Sequence, residues 1–272
     1  TGSYAPAAGA VLDFTGGTHD LNAGGAVSGE GVVRFGGGTS NVNGGSYAVG
    51  GTTSATGGIV NFNSAASPGA LSMTSGTLSG TATLSATGNL LWTGGVMEGT
   101  GTTTVAGAGS SITGAGFTGL DRTLRNTGTM IYSAVDSSVL NFGVNNVTPG
   151  VLTNEGTFNV TAGGDFSEFF VVPGHAINNA GTWNVSGAGT TSSVNGGVVF
   201  NNTGEVNVVS GNLSLIAAPV TQYAGDALTD GTWRVLAGAE AQLPTTGTGV
   251  VTNQADVTLS GAGSQLRTGT AG

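Results

Sequence analysis

A short turn sequence, Asn-x-Gly, recurs through the second half of this chain and limits the folds that are open to it. Four clear copies and two weaker ones begin at Asn126, Asn154, Asn179, Asn202, Thr229 and Asn253. Their start positions are similarly but unequally spaced along the chain. Self-similarity at such a period is the signature of a solenoid, in which each repeat packs on its neighbours. The unequal spacing indicates loops of different length.

The residues around each turn alternate as they would in a half-buried strand. Four residues after the start of each copy stand Met130, Phe158, Trp183, Val206, Trp233 and Val257. Two residues further on stand Tyr132, Val160, Val185, Val208, Val235 and Leu259, and two before each copy stand Leu124, Leu152, Ile177, Phe200, Ala227 and Val251. The residues between the first two columns are mostly polar. Because successive side chains of a strand point to opposite faces, this pattern predicts strands with one buried face.

Columns that stay apolar from copy to copy predict that the coils stack in register. The expected fold is therefore all-β: a single right-handed parallel β-helix, or solenoid, of about eleven coils of roughly 25 residues. No segment shows a helical period with capping residues, so we expect strands throughout and almost no helix. The column that begins with Met130 and ends with Val257 is predicted to be the central stack of the core.

The asparagines that open the four clear copies are predicted to form a ladder at one corner. Asn126, Asn154, Asn179 and Asn202 would then lie one above another, with their amides hydrogen-bonded from coil to coil. An alternative is that these asparagines merely tolerate a left-handed turn conformation. The two interpretations are compatible.

The N-terminal part of the chain shows a looser version of the same pattern. Apolar strand ends recur at Phe14, Phe35, Phe62, Leu84 and Val105, with glycine-rich corners between them. Glycine supplies the positive φ angles that tight corners need. We therefore expect one domain over residues 1–272, with looser coils over 1–120 and regular coils over 121–272. Its tail resembles an interrupted repeat, which indicates a segment of a longer chain.

Composition narrows the function classes. Glycine contributes 53 residues, charged residues make up 7% of the chain, and the formal net charge is −9. The five basic residues are all arginines and there is no cysteine, so a nucleic-acid footprint, a catalytic lysine or thiolate, and disulfides are excluded. No run of about 18 apolar residues occurs, so this segment is not expected to insert in a membrane.

The run Asn-x-Gly-Thr-aromatic-Asn-Val, found from Asn154 to Val160 and from Asn179 to Val185, carries a resemblance. It resembles repeats of very large bacterial exported proteins, such as autotransporter passengers and filamentous-adhesin-like chains with a right-handed β-helix. The resemblance covers most of the chain. It implies display at the cell surface or outside the cell, in adhesion or matrix building.

The aromatic residues have two interpretations. Phe158, Trp183 and Trp233 could form a strip on which sugars stack, but their place in the apolar column favours the core. Trp92 follows Leu90 and Leu91, and neighbouring residues point to opposite faces. For Trp92 also, core packing is favoured over an exposed sugar platform.

Because β-helices also host polysaccharide lyases and hydrolases, an enzyme is the alternative to a scaffold. The densest group of charges is Asp121, Arg122 and Arg125, which the sequence predicts to be a surface ion pair at a loop. The enzyme hypothesis makes these residues part of a catalytic site. His19 and His175 stand too far apart in the sequence to indicate a triad or a zinc site.

Glycoside hydrolysis needs two carboxylates about 5–10 Å apart. The available pairs are Asp165 with Glu168, in the segment 162–173, and Asp226 with Asp230, at the end of the segment 219–229 and directly after it; both segments interrupt the repeat. Both segments are predicted to be loops that leave the rod. Asp165 and Glu168 also offer oxygen ligands for Ca²⁺; no other metal or cofactor is expected.

The expected function is a structural or adhesive repeat module of a bacterial cell-surface or extracellular fibre protein. Such a module would act through stiffness and through a polar face of Thr, Ser and Asn. Its expected partners are surface glycans and copies of itself, joined end to end or laterally, and not nucleic acid. The alternative is a polysaccharide lyase or glycoside hydrolase that uses Asp121, Arg122 and Arg125, or Asp165 and Glu168.

Overall fold

A computed structural model describes residues 2–135, 138–244 and 249–269. The described residues form strands and turns and contain no helix, as predicted. The strands are β1 (Ser3–Tyr4), β2 (Val11–Phe14), β3 (Thr18–Asn22), β4 (Ala26–Gly29), β5 (Val32–Phe35), β6 (Thr39–Asn43), β7 (Ser46–Val49), β8 (Thr52–Ala55), β9 (Ile59–Phe62), β10 (Ala70–Met73), β11 (Thr77–Ser79), β12 (Leu84–Ala86), β13 (Leu90–Trp92), β14 (Gly95–Val105), β15 (Ser110–Ile112), β16 (Thr118–Asn126), β17 (Thr129–Tyr132), β18 (Val139–Phe142), β19 (Val151–Asn154), β20 (Thr157–Val160), β21 (Asp165–Glu168), β22 (Ala176–Asn179), β23 (Thr182–Val185), β24 (Thr191–Asn195), β25 (Val199–Asn202), β26 (Glu205–Val208), β27 (Asn212–Ser214), β28 (Tyr223–Ala224), β29 (Ala227–Leu228), β30 (Thr232–Leu236), β31 (Glu240–Leu243), β32 (Thr252–Asn253), β33 (Asp256–Ser260) and β34 (Gln265–Thr268).

The chain winds through three faces in each coil, and each face is a stack of parallel strands. Face II is a sheet of twelve strands in the order β2-β5-β8-β10-β13-β15-β17-β20-β23-β26-β30-β33. Face III follows the order β3-β6-β9-β11-β14-β16-β18-β21-β24-β27-β31-β34. Face I contains β1-β4-β7, a bridge at Ala66, β12, the second halves of β14 and β16, and then β19-β22-β25. The molecule is thus a right-handed parallel β-solenoid of about eleven coils.

The core lies between the three faces, and the predicted central stack is its main file. Successive pairings place Met130, Phe158, Trp183, Val206, Trp233 and Val257 side by side along face II. The rings of Phe158 and Trp183 stack with centroids 4.4 Å apart and planes 8° from parallel. All six residues are buried except Val257, which is half-buried in the last coil. Trp92 is buried too, and its Nε1 donates to the carbonyl oxygen of Gly95 at 3.3 Å.

The predicted asparagine ladder is present and buried. The Nδ2 of Asn126 donates to Oδ1 of Asn154 at 2.8 Å, Asn154 donates to Asn179 at 2.7 Å, and Asn179 donates to Asn202 at 2.8 Å. Each Nδ2 also donates to the carbonyl oxygen that opens the face II strand of the next coil, such as that of Thr182 for Asn154, at 3.0 Å. Amides buried in this way would be costly without partners, so the ladder satisfies the groups that it buries.

The corner between face I and face II requires glycine because successive coils approach closely there. Its file contains Gly31, Gly51, Gly69, Gly88, Gly107, Gly128, Gly156, Gly181, Gly204 and Gly231. A Cβ added at Gly156 would lie 2.1 Å from the carbonyl oxygen of Gly128, and one at Gly51 would lie 2.1 Å from that of Gly31. No side chain larger than hydrogen fits that distance. The glycines of the Asn-x-Gly repeat are therefore needed because the absence of a side chain lets successive coils approach closely.

The structure corrects the alignment of the looser half. Phe14 and Phe35 pair on face II, Phe62 lies on face III, and Leu84 and Val105 lie on face I. The coils of this half are also shorter than predicted. Strand β10 pairs with β8 across a short stretch of chain, whereas β20 pairs with β17 across a much longer one. The sequence comparison matches these five apolar positions by spacing alone, and a change of coil length moves such positions to another face.

The apolar column before each turn also ends sooner than predicted. It runs from Leu124 through Leu152 and Ile177 to Phe200, which then bridges to Val220. Ala227 instead belongs to a small hairpin, β28–β29, which is the antiparallel strand pair of the described residues. Val251 and Leu259, at 74% and 51%, are exposed in the last coil, where no further described coil covers them.

Candidate functional site

The charged cluster at 121–125 lies in strand β16 and not at a loop as predicted, and two of its three residues are not on the surface. Asp121 and Arg122 are buried. Between them, β16 passes from face III to face I, where the pairing with β14 shifts register after Glu98. Two consecutive side chains can both be enclosed at such a bend. Arg125 is exposed and pairs with Glu155, with Nη2 and Oε2 2.6 Å apart.

Asp121 anchors the loop formed by residues 143–150. Its carboxylate accepts hydrogen bonds from the backbone N–H groups of Val144 at 2.7 Å and Asn145 at 2.5 Å. The hydroxyl of Thr148 donates to the carbonyl oxygen of Asp121 at 2.7 Å. Within the loop, Oδ1 of Asn145 accepts from the N–H groups of Val147 and Thr148 at 2.9 and 3.0 Å. The loop is thereby held against the outer side of face III.

The electrostatics of Asp121 fit an anchor better than a base. Burial raises the pKa of this carboxyl group above its ordinary value, and the N–H groups of Asn145 and Val144 offset part of that rise. Both carboxylate oxygens already accept from the backbone. A general base must instead reach a substrate proton at about 2.6–3.2 Å. The geometry gives Asp121 a structural task.

Arg122 connects three coils from inside the corner. Its guanidinium donates to the carbonyl oxygens of Glu98 and Ala82, each at 3.2 Å. Burial lowers the pKa of Arg122 to about 10. The cation contacts backbone carbonyl groups and not the carboxylate of Asp121, so the two neighbours in sequence have separate roles.

His175 links the 143–150 loop to the next loop along the rod, residues 169–175. Its buried ring accepts a hydrogen bond at Nδ1 from the N–H of Gly150 at 3.0 Å. A ring that accepts at Nδ1 carries its proton on Nε2, which lies 3.3 Å from the carbonyl oxygen of Phe170. The sequence showed no partner for this histidine because both hydrogen bonds are with backbone atoms.

The second candidate pair does not come together. Asp165 and Glu168 lie in strand β21, inside the wall of the rod, and not on a loop as predicted. Three residues apart in a strand, their side chains point to opposite faces. Oδ1 of Asp165 accepts from the N–H of Ser193 at 2.7 Å. This arrangement presents neither the paired carboxylates of a hydrolase nor a two-residue Ca²⁺ site.

The remaining candidates each have different local surroundings. Asp226 occupies the tight turn of the β28–β29 hairpin, where it has a φ of 63°, whereas Oδ1 of Asp230 accepts from the adjacent N–H of Gly231 at 2.7 Å. His19 lines an open cavity of about 280 Å³ in the first coils, and its ring centroid lies 4.9 Å from that of Phe14. The mainly aromatic and aliphatic lining of that cavity belongs to the end of the core.

Sequence reasoning missed an exposed group of phenylalanines, Phe117, Phe169 and Phe170, which we call the aromatic platform. The rings of Phe117 and Phe169 meet edge to face at 5.9 Å, and those of Phe169 and Phe170 at 5.0 Å. One signal was available. The run from Phe169 to Val172 contains four consecutive apolar residues, and a chain segment with only one buried face cannot bury all of them.

No protein-family model, curated protein or solved structure matches this chain. In residues 2–135, 138–244 and 249–269 there is no helix of the length and apolar character needed to span a bilayer. Over the same ranges no three His, Cys, Asp or Glu side chains gather as metal ligands. The case for a function therefore rests on the geometry of the molecule and on its repeats.

Proposed function

We propose that this chain is a rigid structural and adhesive module of a bacterial surface or extracellular fibre protein. The observation that carries the proposal is the continuous in-register stack of twelve strands on face II, beside a hydrogen-bonded file of buried asparagines. At about 4.8 Å per coil the stack is roughly 50 Å long. Such a stack resists bending because every coil shares backbone hydrogen bonds with the next, and the coils from Asn126 to Asn202 share side-chain amide hydrogen bonds as well.

The outer side of face II supports the adhesive part of the proposal. Asn159, Asn184 and Asn207 form a second amide ladder there, with Nδ2 to Oδ1 distances of 2.8 and 3.0 Å. Thr157 and Thr182 lie in register beside it. This part of the face is polar and regular, and it offers hydroxyl and amide groups to a glycan.

The ionisable residues support a scaffold in preference to a polysaccharide-processing enzyme. Asp121, Arg122 and His175 are buried and hold backbone groups, and the exposed Arg125 pairs with Glu155. A catalytic site needs clustered ionisable groups in a cleft that admits substrate. The proposed location outside the cell rests on the resemblance of the Asn-x-Gly repeats to those of exported proteins.

An assay for cleavage tests this proposal. The protein is incubated with polygalacturonate and with neutral glucans, and new reducing ends and unsaturated uronates are measured. We expect no product above that of an Asp121→Asn, Arg122→Met double variant. Product that forms with the wild type and is lost in the double variant would overturn the scaffold role.

The proposed partners include further copies of the module. Among the described strands, β2 and β3 at one end and β33 and β34 at the other have a hydrogen-bonded neighbour on one side only. Such edges template the pairing of another chain. We expect light scattering to show species that lengthen with protein concentration, and a constant monomer mass would contradict self-association.

A further inference from the structure

The aromatic platform is unusual in a rod most of whose other large rings are inside. Phe117, Phe169 and Phe170 are 48%, 52% and 44% exposed. The chain has ten phenylalanines, and the other seven are buried or half-buried. Exposed apolar groups scattered singly are normal, but three that touch one another form a patch, and contiguous exposed patches mark interaction sites.

The platform stands on loops that buried polar groups hold in place. Phe169 and Phe170 begin the 169–175 loop, and the carbonyl oxygen of Phe170 lies 3.3 Å from Nε2 of His175. The N–H of Phe169 donates to the carbonyl oxygen of Phe142 at 2.7 Å, which continues the ladder of face III. Phe117 immediately precedes β16, and its carbonyl oxygen accepts from the N–H of Gly95 at 2.8 Å. The three rings are therefore presented by a backbone that is already ordered.

The size of the platform argues against a second copy of the chain as its occupant. An aromatic side chain has about 150–250 Å² of surface, so three half-exposed rings offer roughly 300 Å². A stable protein–protein interface needs about 800 Å² from each partner. The platform suits a smaller group, one or two sugar rings across.

The charge of the chain argues against anionic partners. The formal net charge is −9, there is no lysine, and Glu168 adjoins Phe169. A surface that binds acidic polysaccharides or anionic lipids would need arginine or lysine beside the rings. The charge pattern favours an uncharged ligand.

We infer that the aromatic platform binds the C–H faces of uncharged sugar residues in a glycan. The flat faces of the rings provide apolar contact, and edge-to-face packing holds the rings at fixed angles to one another. Ser167 and Asn195 pair in register on the outward side of face III, two residues before Phe169 along β21, and supply hydroxyl and amide groups to sugar hydroxyls. This inference rests on the adhesive role proposed above and assigns that role to a site.

Isothermal titration of the intact chain with cellohexaose, N-acetylchitohexaose and mannohexaose tests the inference. We expect at least one of these neutral probes to bind. The Phe169→Ala variant, which removes the central ring, should lower its affinity about tenfold or more, and Phe169→Tyr should retain it. Ile131→Ala removes another exposed apolar side chain, on face II, and should leave the affinity unchanged.

Phe117→Ala serves as a second test if Phe169→Ala lowers the melting temperature. Absence of binding by all three neutral probes would overturn the inference, as would binding that neither phenylalanine variant weakens. Binding to phosphatidylglycerol vesicles, to polygalacturonate or to a second copy that depends on Phe169 would overturn it in favour of that partner. The cleavage assay described above tests the scaffold role separately from these binding measurements. The inference can therefore fail while the scaffold role stands.

Discussion

Both halves of the solenoid have the same glycine corner between face I and face II. They differ in the residues and turns on either side of that corner. In the first half, short coils turn from face II to face III on stacked glycines with positive φ, such as Gly38, Gly58 and Gly76 at 66°, 63° and 74°. The file of face I is apolar there, with Ala86 paired to Val105. In the second half the coils are longer, and the same file continues from Val105 into Asn126 and the buried ladder.

The difference shows where added chain length goes. Extra residues leave the corners as loops, and a loop that packs on the rod brings backbone N–H and C=O groups that need partners. Asp121 and His175 meet that need for the loops 143–150 and 169–175. The buried charged and imidazole side chains of the described residues accordingly all lie beyond residue 120. The short coils of the first half bury no such group among their described residues.

The strongest loss of stability is expected at the corner that both halves share. Gly51→Ala and Gly156→Ala each place a Cβ 2.1 Å from a backbone carbonyl oxygen of the preceding coil, so each should lower the free energy of unfolding by about 3 kcal/mol. Chemical denaturation measures this. Gly16→Ala is the control, because no atom lies within 4 Å of its added Cβ. Equal stability of all three variants would contradict the close approach.

A smaller effect, confined to the second half, is expected from the ladder. Asn154→Val leaves Asn126 and Asn179 without their partners and should cost about 2–3 kcal/mol, although Val105 shows that valine fits the file. Asn179→Val should cost less unfolding free energy in the Asn154→Val background than in the wild type, because its partner Asn154 is already gone. A double-mutant cycle measures this coupling. Strictly additive costs would mean that the amides act independently.

The anchor of the 143–150 loop should contribute less. Asp121→Asn replaces a carboxylate that accepts two backbone N–H groups with an amide that can accept through one oxygen. We expect a loss of about 2 kcal/mol and faster hydrogen exchange at Val144 and Asn145. Asp20→Asn, an exposed acid on the outward side of face III, is the control and should change neither quantity.

The difference in unfolding free energy between the wild type and the Asp121→Asn variant should depend on pH. Because burial raises the pKa of Asp121, the folded chain binds more protons than the unfolded chain between the ordinary carboxyl pKa and the raised one. This contribution to stability increases as pH falls through that window and is smallest above it. The margin in unfolding free energy of the wild type over Asp121→Asn should therefore widen on acidification. A margin that narrows would contradict the role of burial.

The weakest effect is expected at the exposed ion pair. The Arg125 guanidinium lowers the pKa of Glu155, so any contribution of the pair is present at neutral pH and is lost as pH falls through that lowered pKa. Solvent screens both groups. Arg125→Gln should leave the thermal midpoint of unfolding nearly unchanged at high salt, with Glu155→Gln as the matched variant. A large, salt-independent loss would show that surface charge helps to order the longer coils.

Most of the fold could be predicted because the pattern in the second half is strict. The Asn-x-Gly turns align Met130 with Trp233 and Asn126 with Asn202 across successive coils, and the structure places each set in one file. In the first half the coils shorten without a fixed turn sequence. Spacing alone therefore matches residues such as Phe62 and Leu84 that lie on different faces.

The period, the buried face of each strand and the asparagine ladder are readable from the chain alone, because they depend on alternation and on residues at a fixed distance from a turn. The roles of Asp121, Arg122 and His175, and the exposure of Phe117 beside Phe169, become visible only in three dimensions. The hydrogen-bond partners of the first three are backbone atoms, most of them in other coils. Which loop covers which side chain depends on how far each added loop extends from its corner of the coil. The local sequence pattern does not encode how far the loop extends.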